Sequence, residues 1–429
     1  MRHGDDLCEA EDGDRQHKAH DAPQVQQRRA AGGGNAQQTE AEQEDDSRAQ
    51  RDVQASPSTR RRGYDRPVRE LQIDDRRIAD DTPCFVIAEI GHNHQGSVEK
   101  AQELFVLAAQ AGVDAVKLQK RDNRRLFTRA RYDSAYENEN SFGPTYGAHR
   151  EALELDRSAY VELQACAREL GLVFFATAFD EASADVLSEL DVPAYKVASG
   201  DLRNTPLLRH VAAIGKPLIV STGGATIEDV DRAVETVTAI NPQLCLLQCT
   251  ASYPASVEEL ELGVIATYRE RYPELVVGLS DHQDGIAMAP VAYMLGARVI
   301  EKHFTASHTA KGTDHAFSLM PEGMRKLVRD LHRVPAAIGD GVKRPLPSEE
   351  APLRKMGKQL VAARPLPSGH VLAEGDLVAK SPAEGGLPPY RLDDLLGTRL
   401  RRALREDEPV LTTHVATVDA LEEASSTAT

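Results

Sequence analysis

Three pairs of polar residues are spaced two apart at the ends of short apolar segments: Lys117 with Gln119, Ser280 with His282, and Glu301 with His303. In a β-strand, side chains two residues apart point to the same side, so each pair presents both side chains to one face. If these faces look inward, all six side chains converge. Such a set suits acid–base or metal-assisted chemistry on an anionic substrate.

Two histidines indicate a metal site. His282 and His303 end the last two apolar segments of the series. Two imidazoles from adjacent strands can bind one divalent ion and leave coordination positions open for a substrate carbonyl. The alternative is a pair of hydrogen-bonded polar residues without a metal. We expect one divalent metal ion, held by both histidines and acting as a Lewis acid.

Two lysines indicate an anion site. Lys117 and Lys196 lie within apolar segments, where a buried ammonium group is costly unless an anion balances it. A phosphate or carboxylate ligand is the natural partner. Ser199 with Gly200, and the run 221–224, add hydroxyl and backbone N–H donors that can surround phosphate oxygens, although such turns also simply end strands.

Glu89 ends the first apolar segment, just before Gly91, His92, Asn93 and His94. At that position its carboxylate could act as a general base or polarise a water molecule. The alternative is a structural salt bridge to Lys117. Both interpretations place Glu89 among the converging side chains.

Eight apolar segments position these residues. Between residues 84 and 304 they read CFVIAE, DAVKLQ, VFFATAF, YKVASG, PLIVST, CLLQCT, VVGLSD and RVIEKHF. Strands that alternate with helices pair in parallel, and eight such units predict a closed (β/α)8 TIM barrel rather than a doubly wound sheet. Barrel active sites lie at the carboxyl ends of the strands, where these polar residues fall. The long connection 121–156 is expected to help cover the substrate.

Differences in amino-acid composition along the chain predict its domain boundaries. Residues 1–80 are rich in charged residues and poor in apolar ones, which predicts a disordered extension. The barrel is expected over 81–343 and a proline-rich linker over 344–355. Residues 356–417 combine short β-like runs with turn signals, and about 60 residues make a marginal core, so this small β-rich domain should pack on the barrel or on a second subunit. Residues 418–429 are expected to be a disordered tail.

The overall charge indicates which partners are disfavoured, and the cysteines indicate the compartment. A net charge of −16 over 429 residues disfavours nucleic acid and anionic membrane as partners. No apolar run approaches the roughly 20 residues that cross a bilayer. Five scattered cysteines favour free thiols in a reducing compartment, so we expect a cytoplasmic protein.

Seven motifs occur in an order that resembles a known family. AEIGHNHQG (88–96), VKLQ, YKVASGD, STGGA, QCTASYP, GLSDH and EKHFT resemble those of the sialic acid synthase family of nonulosonate synthases. The resemblance spans about residues 84–415. It includes the terminal domain, which resembles the antifreeze-like (SAF) domain of that family.

The resemblance implies a condensation of phosphoenolpyruvate with an open-chain N-acylated amino sugar, similar to N-acetylmannosamine, which yields a nonulosonic acid and phosphate. It implies Mn²⁺ or Mg²⁺ on His282 and His303, and a homodimer in which each SAF domain caps the barrel of the other chain. Catalytic roles are implied for Glu89, Lys117 and Glu301. Substrate-binding roles are implied for Gln119, Lys196, Ser199, Tyr253, Ser280 and Asp314.

Two positions depart from the sialic-acid branch of that family. Ala251 stands where an asparagine is usual, and Ser381 stands where an arginine is usual in the terminal domain. Loss of an arginine removes a fork of hydrogen-bond donors, so the identity of the sugar stays open. The alternatives are a family member acting on another amino or diamino sugar for a surface or spore-coat polysaccharide, a non-catalytic sugar-binding barrel, and an aldolase that forms a Schiff base on Lys196.

Overall fold

Eight parallel strands close into a barrel. The structure is a computed structural model and describes residues 69–416. The strands follow one another around the barrel in chain order: β3 (Phe85–Gly91), β4 (Ala115–Lys120), β5 (Val173–Ala178), β6 (Tyr195–Val197), β7 (Leu218–Ser221), β8 (Leu244–Cys249), β9 (Val276–Asp281) and β10 (Val299–His303). Strand β10 pairs with β3 and closes the barrel. Each of the eight predicted segments overlaps one of these strands, with ends that differ by no more than three residues, and the TIM-barrel prediction is confirmed.

Amphipathic helices surround the barrel. They are α1 (Val98–Ala111), α5 (Arg157–Glu169), α6 (Glu181–Glu189), α7 (Thr205–Ala213), α8 (Ile227–Thr238), α9 (Val264–Arg271), α10 (Met288–Met294) and α11 (Pro321–Ile338). Helix α1 illustrates how the sequence sets its ends. The Ser97 hydroxyl accepts from the Lys100 backbone N–H at the start, and Gly112 takes a left-handed conformation after the last turn.

The long connection after β4 is not a plain loop. It contains three short helices, α2 (Asn123–Leu126), α3 (Arg129–Tyr132) and α4 (Tyr146–Ala152). Each begins with a side-chain cap, from Asp122, Thr128 and Thr145 respectively. These caps satisfy free backbone N–H groups and allow such short helices to form.

A β-hairpin precedes the barrel, where the sequence predicted disorder. Strands β1 (Glu70–Ile73) and β2 (Arg76–Ala79) pair antiparallel. Leu71, Ile73 and Ile78 are buried in the barrel core, because alternating apolar residues give the hairpin one apolar face. The prediction of disorder is therefore wrong for residues 69–80. Residues 1–68 of the predicted extension, and the predicted tail, lie outside the described residues.

The terminal segment forms a second, smaller core. Helix α12 (Glu350–Met356) begins in the predicted linker and ends one residue beyond it. Two antiparallel strand pairs follow: β11 (Gln359–Ala362) with β12 (Leu377–Lys380), and β13 (Arg399–Leu400) with β14 (Val415–Ala416). Helix α13 (Leu392–Leu395) lies between β12 and β13. Ten buried residues from Leu360 to Val415 form this core. In the described range, none of the hydrogen bonds or ion pairs joins residues 85–343 to residues 357–416.

Two further observations concern the cysteines and the hydropathy of the helices. Cys84, Cys166, Cys245 and Cys249 are free thiols, while Cys8 lies outside the described residues. Among the helices of residues 69–416, none is both long enough and apolar enough to span a bilayer.

Candidate active site

One cavity of about 510 Å³ opens at the carboxyl ends of the barrel strands. All eleven residues that the sequence predicted as catalytic, substrate-binding or metal-binding line this cavity. They come from five of the eight strands, and from the connections that follow β6, β8, β9 and β10. The structure therefore brings the whole predicted set together, whereas their individual roles remain proposals.

Strand register aligns three of these residues across neighbouring strands. His303 on β10 is the partner of Glu89 on β3, and Glu89 is the partner of Lys117 on β4. The register shifts between Glu89 and Gly91. Gly91 has φ +53°, a conformation that side chains disfavour, and a Cβ atom there would lie 3.2 Å from Glu89 Oε1 and from Gln119 Nε2. Glycine thus lets the chain turn while the Glu89 carboxylate stays in the cavity.

Glu89 is held by two neighbours. The Lys117 Nζ atom lies 2.5 Å from Glu89 Oε2, and Gln119 Nε2 donates to Glu89 Oε1 at 2.6 Å. The salt bridge to Lys117, one of the two interpretations left open by the sequence, is therefore present. Burial raises the pKa of Glu89, against the opposing effect of Lys117. A carboxyl with a raised pKa next to a cation is able to exchange a proton with a reacting group.

A second carboxylate faces both buried lysines. Glu301 Oε1 lies 3.7 Å from the Nζ atoms of Lys117 and Lys196 and accepts from the Ser280 hydroxyl at 3.3 Å. Burial alone would raise the pKa of Glu301, but the two ammonium groups keep it below the ordinary value. Glu301 is thus the ionised member of the carboxylate pair.

Lys196 is positioned by hydroxyl and carbonyl groups. Its Nζ atom donates to Ser221 Oγ at 2.6 Å and to the Val197 carbonyl at 3.3 Å. Burial lowers the pKa of Lys196. Lys117 makes a similar contact, donating to Thr177 Oγ1 at 2.9 Å. Two ammonium groups and several hydroxyls therefore surround the floor of the cavity, as an anion site requires.

The two predicted metal ligands lie side by side. The ring centroids of His282 and His303 are 5.5 Å apart. The His282 Nδ1–H group donates to the Thr250 carbonyl at 2.8 Å, which leaves Nε2 with a lone pair. His303 Nδ1 is buried without a hydrogen-bond partner and lies 3.7 Å from Asp314 Oδ2. These donors fit one divalent cation.

The fit is that of a partial coordination shell. In residues 69–416, no group of three or more His, Cys, Asp or Glu side chains is arranged as a complete metal site. A cation bound to His282 and His303 would take its other ligands from water or substrate, as Mn²⁺ and Mg²⁺ accept.

The remaining predicted residues border the same space. The Tyr253 ring stacks on His282 at 4.1 Å between centroids, and 55% of Tyr253 is exposed. Ser199 Oγ accepts from the Gly223 backbone N–H at 3.0 Å. Asp314 and Thr313 lie in the connection after β10 and also line the cavity. Most of the lining residues are thus polar, and the apolar ones include Tyr253, Phe179, Ala198 and Ala251.

Sequence reasoning assigned no role at this site to Arg121, Arg150, Thr177 or Phe179, which also line the cavity. Arg121 follows Gln119 by two residues, so strand alternation could have indicated it. Arg150 lies on α4, and its position at the barrel mouth depends on how the three capped helices fold. Nothing in the local sequence indicates that position.

Comparison with known proteins decides the family. The NeuB family profile matches residues 104–343, and the SAF domain profile matches residues 358–416. The chain belongs to the NeuB family. The first matched region covers the barrel from within α1 onward, and the second covers the smaller terminal core.

Several proteins similar to this NeuB family chain are named as acid synthases. It is 38% identical to N-acetylneuraminate-9-phosphate synthase from Homo sapiens over 78% of this chain and 94% of that protein. It is 35% identical to N,N'-diacetyllegionaminic acid synthase from Legionella pneumophila over 77% and 94%. The crystal structure of N-acetylneuraminic acid synthetase from Leptospira borgpetersenii matches with a TM-score of 0.59 and 29% identity, over 68% of this chain and 97% of that one.

Proposed function

We propose that this protein condenses phosphoenolpyruvate with an open-chain N-acylated amino sugar to give a nonulosonic acid and inorganic phosphate. The observation that carries the proposal is the composition of one cavity, in which two buried lysines, two buried glutamates and two imidazoles face one another. The two relatives quoted above are named as synthases of such acids.

Phosphoenolpyruvate binds at the floor of the cavity in this proposal. Its phosphate and carboxylate balance Lys117 and Lys196 and accept from the hydroxyls of Ser199 and Ser280. Without such an anion, two ammonium groups that are 2% and 4% exposed have Glu89 and Glu301 as their only carboxylate partners in the described part of the chain. Binding a multiply charged anion there replaces lost hydration with charge-assisted hydrogen bonds.

The reaction forms a carbon–carbon bond and breaks a carbon–oxygen bond. Phosphoenolpyruvate C3 attacks the sugar aldehyde, water adds at C2, and phosphate leaves with the C2 oxygen. Ionised Glu301 lies where positive character develops at C2, and Glu89 takes the proton of the adding water. A divalent cation on His282 and His303 would polarise the aldehyde carbonyl.

Substrate recognition beyond the reacting carbons involves the upper wall of the cavity. Tyr253 and Asp314 contact the sugar, with Asp314 accepting from sugar hydroxyls, while Gln119 helps to hold phosphoenolpyruvate. The names of relatives differ in the sugar and in whether the product carries a phosphate. Because Ala251 and Ser381 depart from the sialic-acid pattern, a diamino sugar is the alternative acceptor.

A homodimer with exchanged SAF domains completes the proposal. The terminal core has ten buried residues and makes no hydrogen bond or ion pair with residues 85–343 in the described part of its own chain. A core of that size gains stability from a partner surface. The free thiols favour the cytoplasm as its compartment.

Phosphate release tests this function. The purified protein would be mixed with phosphoenolpyruvate, Mn²⁺ or Mg²⁺, and each member of a panel of N-acylated amino and diamino sugars. We expect release with at least one sugar and none without sugar. Absence of sugar-dependent release across the panel would support a non-catalytic binding protein instead.

The lowered pKa of Lys196 favours one second candidate, an aldolase that uses a Schiff base. Such an enzyme forms a covalent imine between Lys196 and a substrate carbonyl. Borohydride with substrate would trap that adduct on Lys196, and mass spectrometry would locate it. A trapped adduct would favour the aldolase over the condensation proposed above.

A further inference from the structure

Three residues at the wall of the cavity form a group that the proposed reaction does not use. Arg121, Arg150 and His92, called here the arginine cluster, line the same cavity as the candidate catalytic residues. Arg121 is 8% exposed, and its guanidinium carbon lies 3.7 Å from the centroid of the Phe179 ring. One face of this guanidinium is therefore covered.

Neither arginine forms an ion pair with a carboxylate in the described part of the chain, and Glu154, which attracts Arg121, is itself paired with Lys120. Among the ion pairs of residues 69–416, none involves Arg121 or Arg150. Arg121 Nη2 donates to Gln119 Oε1 at 2.6 Å, and Arg150 donates through Nε and Nη2 to Tyr146 Oη at 3.1 and 3.0 Å. Arg121 is buried and Arg150 is partly buried, and positive charges withdrawn from water with only neutral hydrogen-bond partners are costly, which favours an anionic ligand.

His92 cannot satisfy both arginines. Arg121 Nη1 lies 2.8 Å from His92 Nε2, and Arg150 Nη1 lies 3.3 Å from His92 Nδ1. A neutral imidazole has one N–H group and one lone pair, so only one of these contacts is a hydrogen bond. In the other contact two donors face each other. An anionic oxygen placed between those donors would accept from both.

Protonation of His92 would not remove this conflict, because an imidazolium has only donors. Burial, followed by the charges of Arg121 and Arg150, lowers the pKa of His92 well below its ordinary value. The ring is therefore neutral, and the unsatisfied donor pair persists at physiological pH.

The arginine cluster is separate from the floor of the cavity. Arg121 is four residues beyond Lys117 along the same chain direction, and its hydrogen bond to Gln119 holds the guanidinium above the lysine layer. Lys117 already faces Glu89 and Glu301. An anion that binds Lys117 and Lys196 therefore leaves the arginine cluster free for a second anionic group.

We propose that the arginine cluster is a second anion subsite, which binds a phosphate monoester carried by the acceptor sugar. The inference rests on the proposed function, and it assigns the acceptor to the sugar phosphates. The imidazoles of His282 and His303 follow β9 and end β10, whereas Arg121 follows β4, on the far side of β3 from them. An open-chain hexosamine would then lie across Glu89, with its aldehyde toward the imidazoles and its phosphate at the arginine cluster.

The test compares N-acetylmannosamine with N-acetylmannosamine 6-phosphate. We expect kcat/KM of the wild-type protein to favour the phosphorylated sugar. Arg150→Ala should lower kcat/KM for the phosphorylated sugar by about 10- to 100-fold, the loss expected for charge-assisted hydrogen bonds. The KM for phosphoenolpyruvate should stay unchanged. Arg129→Ala is the matched control, because it removes an arginine from the same segment whose side chain is 96% exposed.

Direct binding separates this inference from the proposed function. Calorimetric titration of each sugar into the Glu89→Gln variant and the Glu89→Gln/Arg150→Ala double variant reads affinity without turnover. Tighter binding of the phosphorylated sugar that disappears in the double variant supports the subsite even if no sugar is converted. Equal affinity for both sugars, or an Arg150→Ala effect on phosphoenolpyruvate instead, would overturn it.

Discussion

Glu89 and Lys117 face each other across β3 and β4, with carboxylate and ammonium 2.5 Å apart and both side chains 2% exposed. Removing two charges from water is costly, and a well-packed apolar pair often stabilises a fold as well as a buried ion pair does. Stability alone therefore does not explain this buried ion pair, which favours a role for it in a reactive site. Glu301, 3.7 Å from the same ammonium, extends it into a network that also includes Lys196.

Replacing Glu89 tests its role in proton transfer. Glu89→Gln keeps the shape of the side chain and its contact with Gln119 but removes the basic oxygen. We expect kcat to fall by about 10²- to 10⁴-fold, the usual contribution of general acid–base catalysis. Steady-state phosphate release measures the effect, with the exposed Glu103→Gln as control. A variant that retains wild-type kcat would assign Glu89 to structure alone.

The affinity for phosphoenolpyruvate should depend on pH through Lys196. Burial lowers the pKa of this lysine below 10.5 because it favours the neutral amine. As pH rises, Lys196 loses its proton earlier than an exposed lysine, and its attraction for the anion is lost. We therefore expect the KM for phosphoenolpyruvate to rise with pH, beginning below the ordinary lysine value of about 10.4.

Lys196→Arg provides the comparison, since a guanidinium stays charged throughout that range. The KM of Lys196→Arg for phosphoenolpyruvate should change less with pH than the KM of the wild-type protein does. The comparison concerns this pH dependence and not the absolute value of the KM. Identical pH profiles for the two proteins would show that another group controls binding.

The eight strands could be predicted because each combines a short apolar run with a polar terminus. Alternation then assigned Glu301 and His303 to one face, as observed. The hairpin at residues 70–79 was missed because its strands have only four residues each and begin with charged residues, Glu70 in one and Arg76 and Arg77 in the other, so they resemble the polar extension before them. Arg150 was missed because its place depends on how three short helices fold back.

Alternation also explains a buried pair on the other face of β9 and β10. Lys302 Nζ donates to Asp281 Oδ2 at 2.8 Å, with side chains 1% and 0% exposed. Lys302→Met leaves the Asp281 carboxylate buried without its cation. The free energy of unfolding should fall by about 3–5 kcal/mol, the range for breaking a buried ion pair from one side.

Denaturant titration of Lys302→Met would measure this loss. The double variant Lys302→Met/Asp281→Leu, which removes both charges, should recover part of the stability. A single-variant loss below about 1 kcal/mol, as for exposed pairs, would show that this pair contributes little.

Dimer formation can be measured directly. Light scattering after gel filtration should give twice the chain mass of 46.8 kDa. Crosslinks between the SAF domain of one chain and the barrel mouth of an isotope-labelled second chain should exceed those within a chain if the domains are exchanged. A monomer with only intrachain crosslinks would contradict the exchanged arrangement.

The most direct test of the account is phosphate release after removal of metal. Wild-type protein, His303→Ala and the exposed control His332→Ala would be freed of metal by chelation and assayed with phosphoenolpyruvate and acceptor sugar, with and without added Mn²⁺. The account predicts sugar-dependent release that Mn²⁺ restores in wild type and in His332→Ala but not in His303→Ala, which remains folded. Full release without metal, or unaltered turnover in His303→Ala, would contradict it.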